Sequence, residues 1–127
     1  MRIILINYNI TLISSLTDFL EAFFNIVIVG AFRETEIALE KLSSLDPDIV
    51  VVDLDMQNLP GVDIVRQLRS TSPELAIVAI ATANTEGFKE SILGTGANIY
   101  VPKARLAKDL IPAMRQEIPK LSGLSAA

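Results

Sequence analysis

The chain has 127 residues, half of them apolar, with 11 basic and 15 acidic side chains and a formal net charge of −4. That length makes one domain able to bury roughly two-thirds of its unfolded surface. It contains no cysteine and no histidine, which excludes disulfides, thiolate chemistry, imidazole general-base catalysis, Ser-His hydrolysis and the ordinary zinc sites. Most enzyme classes fall with them, and a role other than catalysis is the expectation. The acidic balance, without a basic cluster, argues against nucleic-acid binding by this segment, because phosphate neutralisation needs concentrated Lys and Arg. The apolar runs IILI, IVIV, IVVV and AIVAIA are each too short to span a bilayer. The start, interrupted by Asn7 and Asn9, does not read as a secretion signal. A cytoplasmic location without membrane contact is expected.

Along the chain, strand and helix patterns alternate. Arg2 to Asn7 reads as a first strand. Leu12, Ile13, Leu16, Phe19, Leu20 and Phe23 then form a stripe at 3.6-residue spacing, a first helix. Ile26 to Val29 reads as a second strand ending at Gly30. Glu34 to Leu45 is a second helix that stops at Asp46-Pro47, since proline biases the residue before it away from helical geometry. Ile49 to Asp53 is β-branched without polar alternation, the pattern of a central strand covered on both faces.

Pro60-Gly61 opens a third helix through Val65, Leu68 and Arg69. Leu75 to Ala81 is a fourth strand and Glu86 to Leu93 a fourth helix, which Gly96 ends. Ile99 to Val101 is the fifth strand. A last helix runs from about Ala107 towards Ile118, with Pro112 removing one backbone hydrogen bond and bending it or delaying its start. Residues 1–120 are read as the domain and 121–127, LSGLSAA, as a tail or linker.

Five strands alternating with five helices imply α/β architecture, a parallel sheet in three layers with right-handed crossovers. In such folds the functional crevice lies at the carboxyl ends of the strands. Asn7, Asp53, the Ala81-Thr82 pair and Lys103 all fall at or just past strand ends, so they are expected to converge. The stretch Asn7-Tyr8-Asn9-Ile10 lacks the glycines that let a pyrophosphate approach a helix N-terminus, which argues against a dinucleotide enzyme.

Three segments in this order, PDIVVVDLDM around Asp53, GVDIVRQLR after it and GANIYVPK ending at Lys103, resemble the receiver domain of bacterial two-component response regulators over nearly the whole chain. The last looks like the variant common in regulators that join a receiver to a helix-turn-helix DNA-binding domain. The resemblance implies a flavodoxin-like (βα)5 sandwich with strand order 2-1-3-4-5. It further implies that Asp53 accepts a phosphoryl group from a histidine kinase and that Lys103 binds the phosphoryl oxygens. A Thr or Ser at the end of the fourth strand would bind another oxygen, and Tyr100 would be the aromatic that turns inward with it. Phosphoryl transfer is achieved mostly by positioning and by neutralising charge. Mg²⁺, held by carboxylates at the positions of Asn7 and Tyr8, belongs to the same set.

This sequence departs from that set. Asn7 offers a neutral amide and Tyr8 a neutral phenol, so both charges of the acidic pair are gone. Asp53 still faces the metal position and Asp55 can lend its charge from the following loop, but weak or absent Mg²⁺ binding is expected. The family's spacing puts Ala81 at the hydroxyl position, with Thr82 one residue on. Alternation along a strand makes that shift matter, and Thr82 serves if the chain turns its hydroxyl inward. Gln57 and Ala104 stand where prolines are usual, and Ala104 removes an expected cis peptide bond.

The function expected is therefore that of a receiver in a phosphorelay with a degenerate phosphorylation site, the input domain of a transcriptional regulator. A sensor histidine kinase and a second copy of the chain are the expected partners, and DNA is reached only through an output domain outside this chain. The alternative is a phosphorylation-independent pseudo-receiver working by protein–protein contact. In that reading Asp53 is an inherited carboxylate paired with Lys103, Tyr8 packs over the site mouth, Tyr100 is ordinary packing and Asp55 is a solvated loop acid.

Overall fold

The computed structural model describes residues 1–23, 25–55, 58–121 and 123. Gln57, one of the positions where a proline was expected, and most of the tail lie outside the described residues. Strands β1 (Arg2–Ile6), β2 (Val27–Phe32), β3 (Ile49–Asp53), β4 (Ala76–Ala81) and β5 (Ile99–Pro102) alternate with helices α1 (Ile10–Glu21), α2 (Thr35–Leu45), α3 (Gly61–Thr71), α4 (Glu86–Thr95) and α5 (Leu106–Glu117). Every strand pair is parallel, in the order β2-β1-β3-β4-β5. This is the flavodoxin-like arrangement anticipated from the sequence.

Side-chain alternation divides the core into two layers. Ile4, Ile6, Val50, Val52, Ile77, Ala79, Ala81 and Tyr100 pack with residues of α2, α3 and α4. Ile3, Leu5, Ile49, Val51, Val78, Ile80, Ile99 and Val101 pack with residues of α1 and α5. Because both faces of β3 are covered, all five of its residues are buried, which is why its sequence shows no polar alternation. Each fully buried Val or Ile contributes roughly 1.5–3 kcal/mol of transfer free energy.

Two elements depart from the expectation. β2 runs through Gly30 to Phe32, and its register with β1 shifts between Ile3 and Ile4, where Ile4 pairs with Gly30. A Cβ at position 30 would lie 2.9 Å from the Phe32 ring and 3.0 Å from Leu45. Glycine there answers close packing at an irregularity in the strand; it does not end it. α5 starts at Leu106 after a 3₁₀ turn, Lys103–Arg105, and continues through Pro112, so the proline leaves the start of the helix where it was. At the far end, Leu121 closes a second 3₁₀ turn and is buried in the α1–α5 layer, so the segment read as a tail begins with an anchored residue.

Candidate functional site

The register of the sheet explains why the candidate residues meet. Ile6 pairs with Val52, and the Asn7 N–H continues the ladder to the Phe32 carbonyl at 2.9 Å. Asn7 therefore stands beside Asp53. Residues 3, 5 and 49, 51 face α1 and α5, and the period of two carries residues 7 and 53 onto that same face. Lys103 follows Val101 with the same parity from β5, just past the strand's end.

At this end of the sheet Lys103 Nζ lies 2.8 Å from Asp53 Oδ2 and 2.9 Å from Asp55 Oδ2. The Asp53 side chain is 5% exposed, whereas those of Lys103 and Asp55 are 29% and 35% exposed. Asp55 reaches back over the strand because its own N–H donates to Asp53 Oδ1 at 2.9 Å, an Asp-initiated turn. The same Asp55 Oδ2 accepts from the Thr82 N–H at 2.9 Å and from its hydroxyl at 2.7 Å.

The geometry separates Ala81 from Thr82. The Ala81 side chain is buried in the α2–α4 layer and faces away from the crevice, because its parity is opposite to that of Asp53. Thr82 lies past the end of β4 and turns its hydroxyl to the crevice through Asp55. Tyr100 points inward. It is 6% exposed, donates its hydroxyl to the Ala83 carbonyl and has the Ala81 carbonyl at 3.5 Å. Its ring meets Phe88 of α4 edge-on, with centroids 5.5 Å apart.

Electrostatics follow from this sharing. Partial burial pulls the Asp55 carboxyl upward, but hydrogen bonds from Lys103 and Thr82 together outweigh it and hold the group below the ordinary carboxylate value. Burial would lower the Lys103 ammonium, and the bonds to Asp53 and Asp55 overcome it, so the group is held above its usual range. Burial and the Asp55 charge push the Tyr100 phenol up, partly offset by Lys103. The crevice thus sets two acidic side chains against one lysine.

The positions of Asn7 and Tyr8 bear on Mg²⁺. Asn7 is 1% exposed, and its Oδ1 accepts the Asn9 N–H at 2.8 Å. That fixes the amide so that its other pole is the Nδ2 donor, which has no hydrogen-bond partner among the described residues. A buried donor repels a cation rather than ligating it. Tyr8 is 59% exposed. The Arg33 guanidinium lies 5.0 Å from its ring centroid and Arg33 Nε donates to its carbonyl at 3.2 Å. Both Asp53 oxygens already accept hydrogen bonds, from Lys103 and from the Asp55 N–H. Among the described residues no group of three or more acidic, His or Cys side chains could hold a metal ion. The two carboxylates of the crevice, Asp53 and Asp55, are both engaged by Lys103, and the side chains of Asn7 and Tyr8 add no negative charge for a divalent cation.

A geometry of this kind defines a class: a parallel α/β domain with an acidic residue at the end of its central strand, a hydroxyl past the end of the next strand and a lysine after the last. The family model for the response regulator receiver domain matches residues 3–115, and the chain belongs to that family. A protein-glutamate methylesterase/protein-glutamine glutaminase of Nocardioides sp. is 27% identical over 94% of this chain and 36% of its own length. Response regulator MprA of Mycolicibacterium vanbaalenii is 34% identical over 72% of this chain and 40% of its own. The chain thus spans only about two-fifths or less of these curated relatives.

Among solved structures, the response regulator domain of Thermotoga maritima CheB superposes with a TM-score of 0.82 at 21% identity, covering 94% of this chain and 96% of that one. The isolated REC domain of RcsB from Salmonella enterica serovar Typhimurium gives 0.84 at 20%, covering 94% and 88%. At such identities these structures establish the fold alone. Receiver domains generally bind Mg²⁺ at the phosphorylation site and interact with histidine kinases. Among the described residues no helix is long and apolar enough to cross a membrane.

Two participants hold roles that the sequence does not display. The sequence offers Asp55 as a loop acid or an auxiliary metal ligand, whereas in the structure it joins Lys103 to Thr82. An Asp two residues after another Asp at a strand end is the available signal, since such a turn folds the second carboxylate back. The other is Asn9, which caps α1 by accepting from the Thr11 and Leu12 N–H groups and, through its own N–H, orients Asn7.

Proposed function

We propose that this chain is a phosphorelay receiver module in which Asp53 is the phosphoryl acceptor and Lys103 and Thr82 are the phosphoryl-binding donors. The observation that carries the reading is the 2.8 Å approach of Lys103 Nζ to the buried Asp53 carboxylate. In this scheme an Asp53 oxygen forms the new O–P bond while the donor's P–N bond, in a phosphohistidine, or P–O bond, in an acyl phosphate, breaks. Lys103 and the Thr82 hydroxyl then neutralise the transferred oxygens. Tyr100 and Thr82 form the switch. Mg²⁺ binds weakly if at all, because Asn7 and Tyr8 supply no charge. The module is cytoplasmic, receives its phosphoryl group from a sensor histidine kinase, and forms a homodimer. It is the input domain of a longer transcriptional regulator that reaches DNA through a separate output domain. The match to MprA, a response regulator of which this chain covers 40%, supports a place for the module within a longer response regulator.

The test is incubation with acetyl phosphate and Mg²⁺ followed by intact-mass spectrometry. A gain of one phosphoryl group, lost in Asp53→Asn, is the expected result. No adduct at saturating Mg²⁺ overturns the acceptor role. A specific observation favours a second reading, the phosphorylation-independent pseudo-receiver. Lys103 and Thr82 are both already engaged by the Asp55 carboxylate, so the donors are satisfied in the unmodified chain.

A further inference from the structure

Three donors converge on one oxygen of Asp55: Lys103 Nζ at 2.9 Å, the Thr82 hydroxyl at 2.7 Å and the Thr82 N–H at 2.9 Å. A cluster of one ammonium, one hydroxyl and one backbone N–H is a cradle for an anionic oxygen. Here the anion is tethered. The Asp55 N–H to Asp53 Oδ1 bond at 2.9 Å folds the carboxylate back over the strand end, and Asp53 shares the same ammonium at 2.8 Å. Asp55 therefore holds the donors that the proposed function gives to the phosphoryl group.

What lies downstream is also visible. Thr82 is held at two atoms, and the carbonyls on either side of it, Ala81 and Ala83, are those that receive the Tyr100 hydroxyl. Tyr100 in turn meets Phe88 on α4. Pinning Thr82 fixes the carbonyl pair, and the carbonyl pair holds the ring inward.

We propose that Asp55 is a built-in surrogate for the phosphoryl group, holding Thr82 in the cradle and Tyr100 inward in the unmodified chain. The inference rests on the reading of Lys103 and Thr82 as the phosphoryl-binding donors, but its test needs no phosphoryl donor. A module built this way presents its α4–β5 surface in one fixed state. Any phosphorylation of Asp53 must first eject the Asp55 carboxylate from the cradle.

The experiment follows solvent access to Tyr100 by acrylamide quenching of tyrosine fluorescence, in a Tyr8→Phe background that leaves Tyr100 as the single tyrosine. Without any phosphoryl donor, Tyr100 is expected to be shielded in the parent. Asp55→Ala should shift its inward-to-outward ratio by about tenfold, the scale of one charge-assisted hydrogen bond, and raise the quenching constant at least about twofold. Asp55→Asn, which keeps the volume and loses the charge, should give a smaller rise and serves if the alanine variant does not fold. Asp53→Asn removes the other carboxylate on Lys103 and should leave Tyr100 shielded.

Unchanged quenching in both Asp55 variants overturns the proposal. So does an equal rise in Asp53→Asn, which would assign the effect to lost charge around Lys103. Failure of Asp53 to take up phosphate from acetyl phosphate, with quenching as expected, would remove the acceptor role and leave the surrogate role standing.

Discussion

The two ends of the sheet solve the same problem, placing a cation among acceptors, in opposite ways. At the amino ends of β4 and β5 Arg69 is surrounded by neutral acceptors. Its guanidinium donates to the Gly96 carbonyl at 3.1 and 2.8 Å, to Leu75 at 2.6 Å, to Pro73 at 3.0 Å, to Ser72 at 3.3 Å and to Asn98 Oδ1 at 2.9 Å. Asn98 Oδ1 also accepts the Ile77 N–H, so one side chain joins α3 to the starts of two strands. At the carboxyl ends Lys103 is shared by two carboxylates and sits in a partly open crevice. A planar fork saturated by carbonyls has one arrangement. A point charge shared by two anions keeps its arrangement only while both carboxylates stay unmodified. The first is a brace and the second is a place where state can change.

The largest effect expected from this contrast is at the brace. Arg69→Met keeps the packing of the stem and strands several carbonyls, so it should cost about 3 kcal/mol in urea unfolding. A loss below about 1 kcal/mol would show that water replaces the guanidinium without penalty. At the other end, Lys103→Met leaves two neighbouring carboxylates without their cation. Partial exposure limits the damage, and a cost of about 1–2 kcal/mol is expected by the same assay. Asp53→Asn removes one of two like charges and should change stability by no more than about 1 kcal/mol. If Asp53→Asn proves as costly as Arg69→Met, the crevice is a second brace and the contrast fails.

A smaller effect separates the ends by pH. The Asp55 carboxyl is held below its ordinary value by Lys103 and Thr82, against the upward pull of burial. On acidification the unfolded chain takes up this proton first, so the contribution is present above about pH 4, the unfolded value, and is lost as pH falls through the folded one. The stability gap between the parent and Asp55→Asn should therefore close below about pH 4. The gap between the parent and Arg69→Met should not follow it there, since the acceptors of Arg69 are backbone carbonyls and the Asn98 amide oxygen. Urea midpoints at several acidic pH values give both gaps.

How much of this was legible in the sequence depends on what each segment had to show. β3 could be read to the residue, because burial on both faces leaves an uninterrupted β-branched run closed by Asp53. Gly30 misled, since a glycine that marks close approach of Phe32 and Leu45 looks the same in sequence as one that ends a strand. Ala81 and Thr82 could not be separated, because AIVAIA is apolar on both faces and carries no mark of parity. Only pairing with neighbouring strands supplies it. Arg69 reads as one more polar residue at a helix end, for its acceptors are backbone carbonyls, which sequence does not display. Asp53 and Lys103 were legible as a pair through the fold, while the role of Asp55 depended on a turn that only the local hydrogen bond reveals.

The claim that the crevice keeps its anion-binding donors while lacking the carboxylates a divalent cation needs is tested most directly by titrating Mg²⁺ calorimetrically. The comparison is between the parent chain and the double variant Asn7→Asp, Tyr8→Asp. Restored carboxylates beside Asp53 should tighten binding by at least about tenfold. Equal affinities in the two proteins would contradict the account, since they would mean that Asn7 and Tyr8 do not stand where the metal's ligands belong.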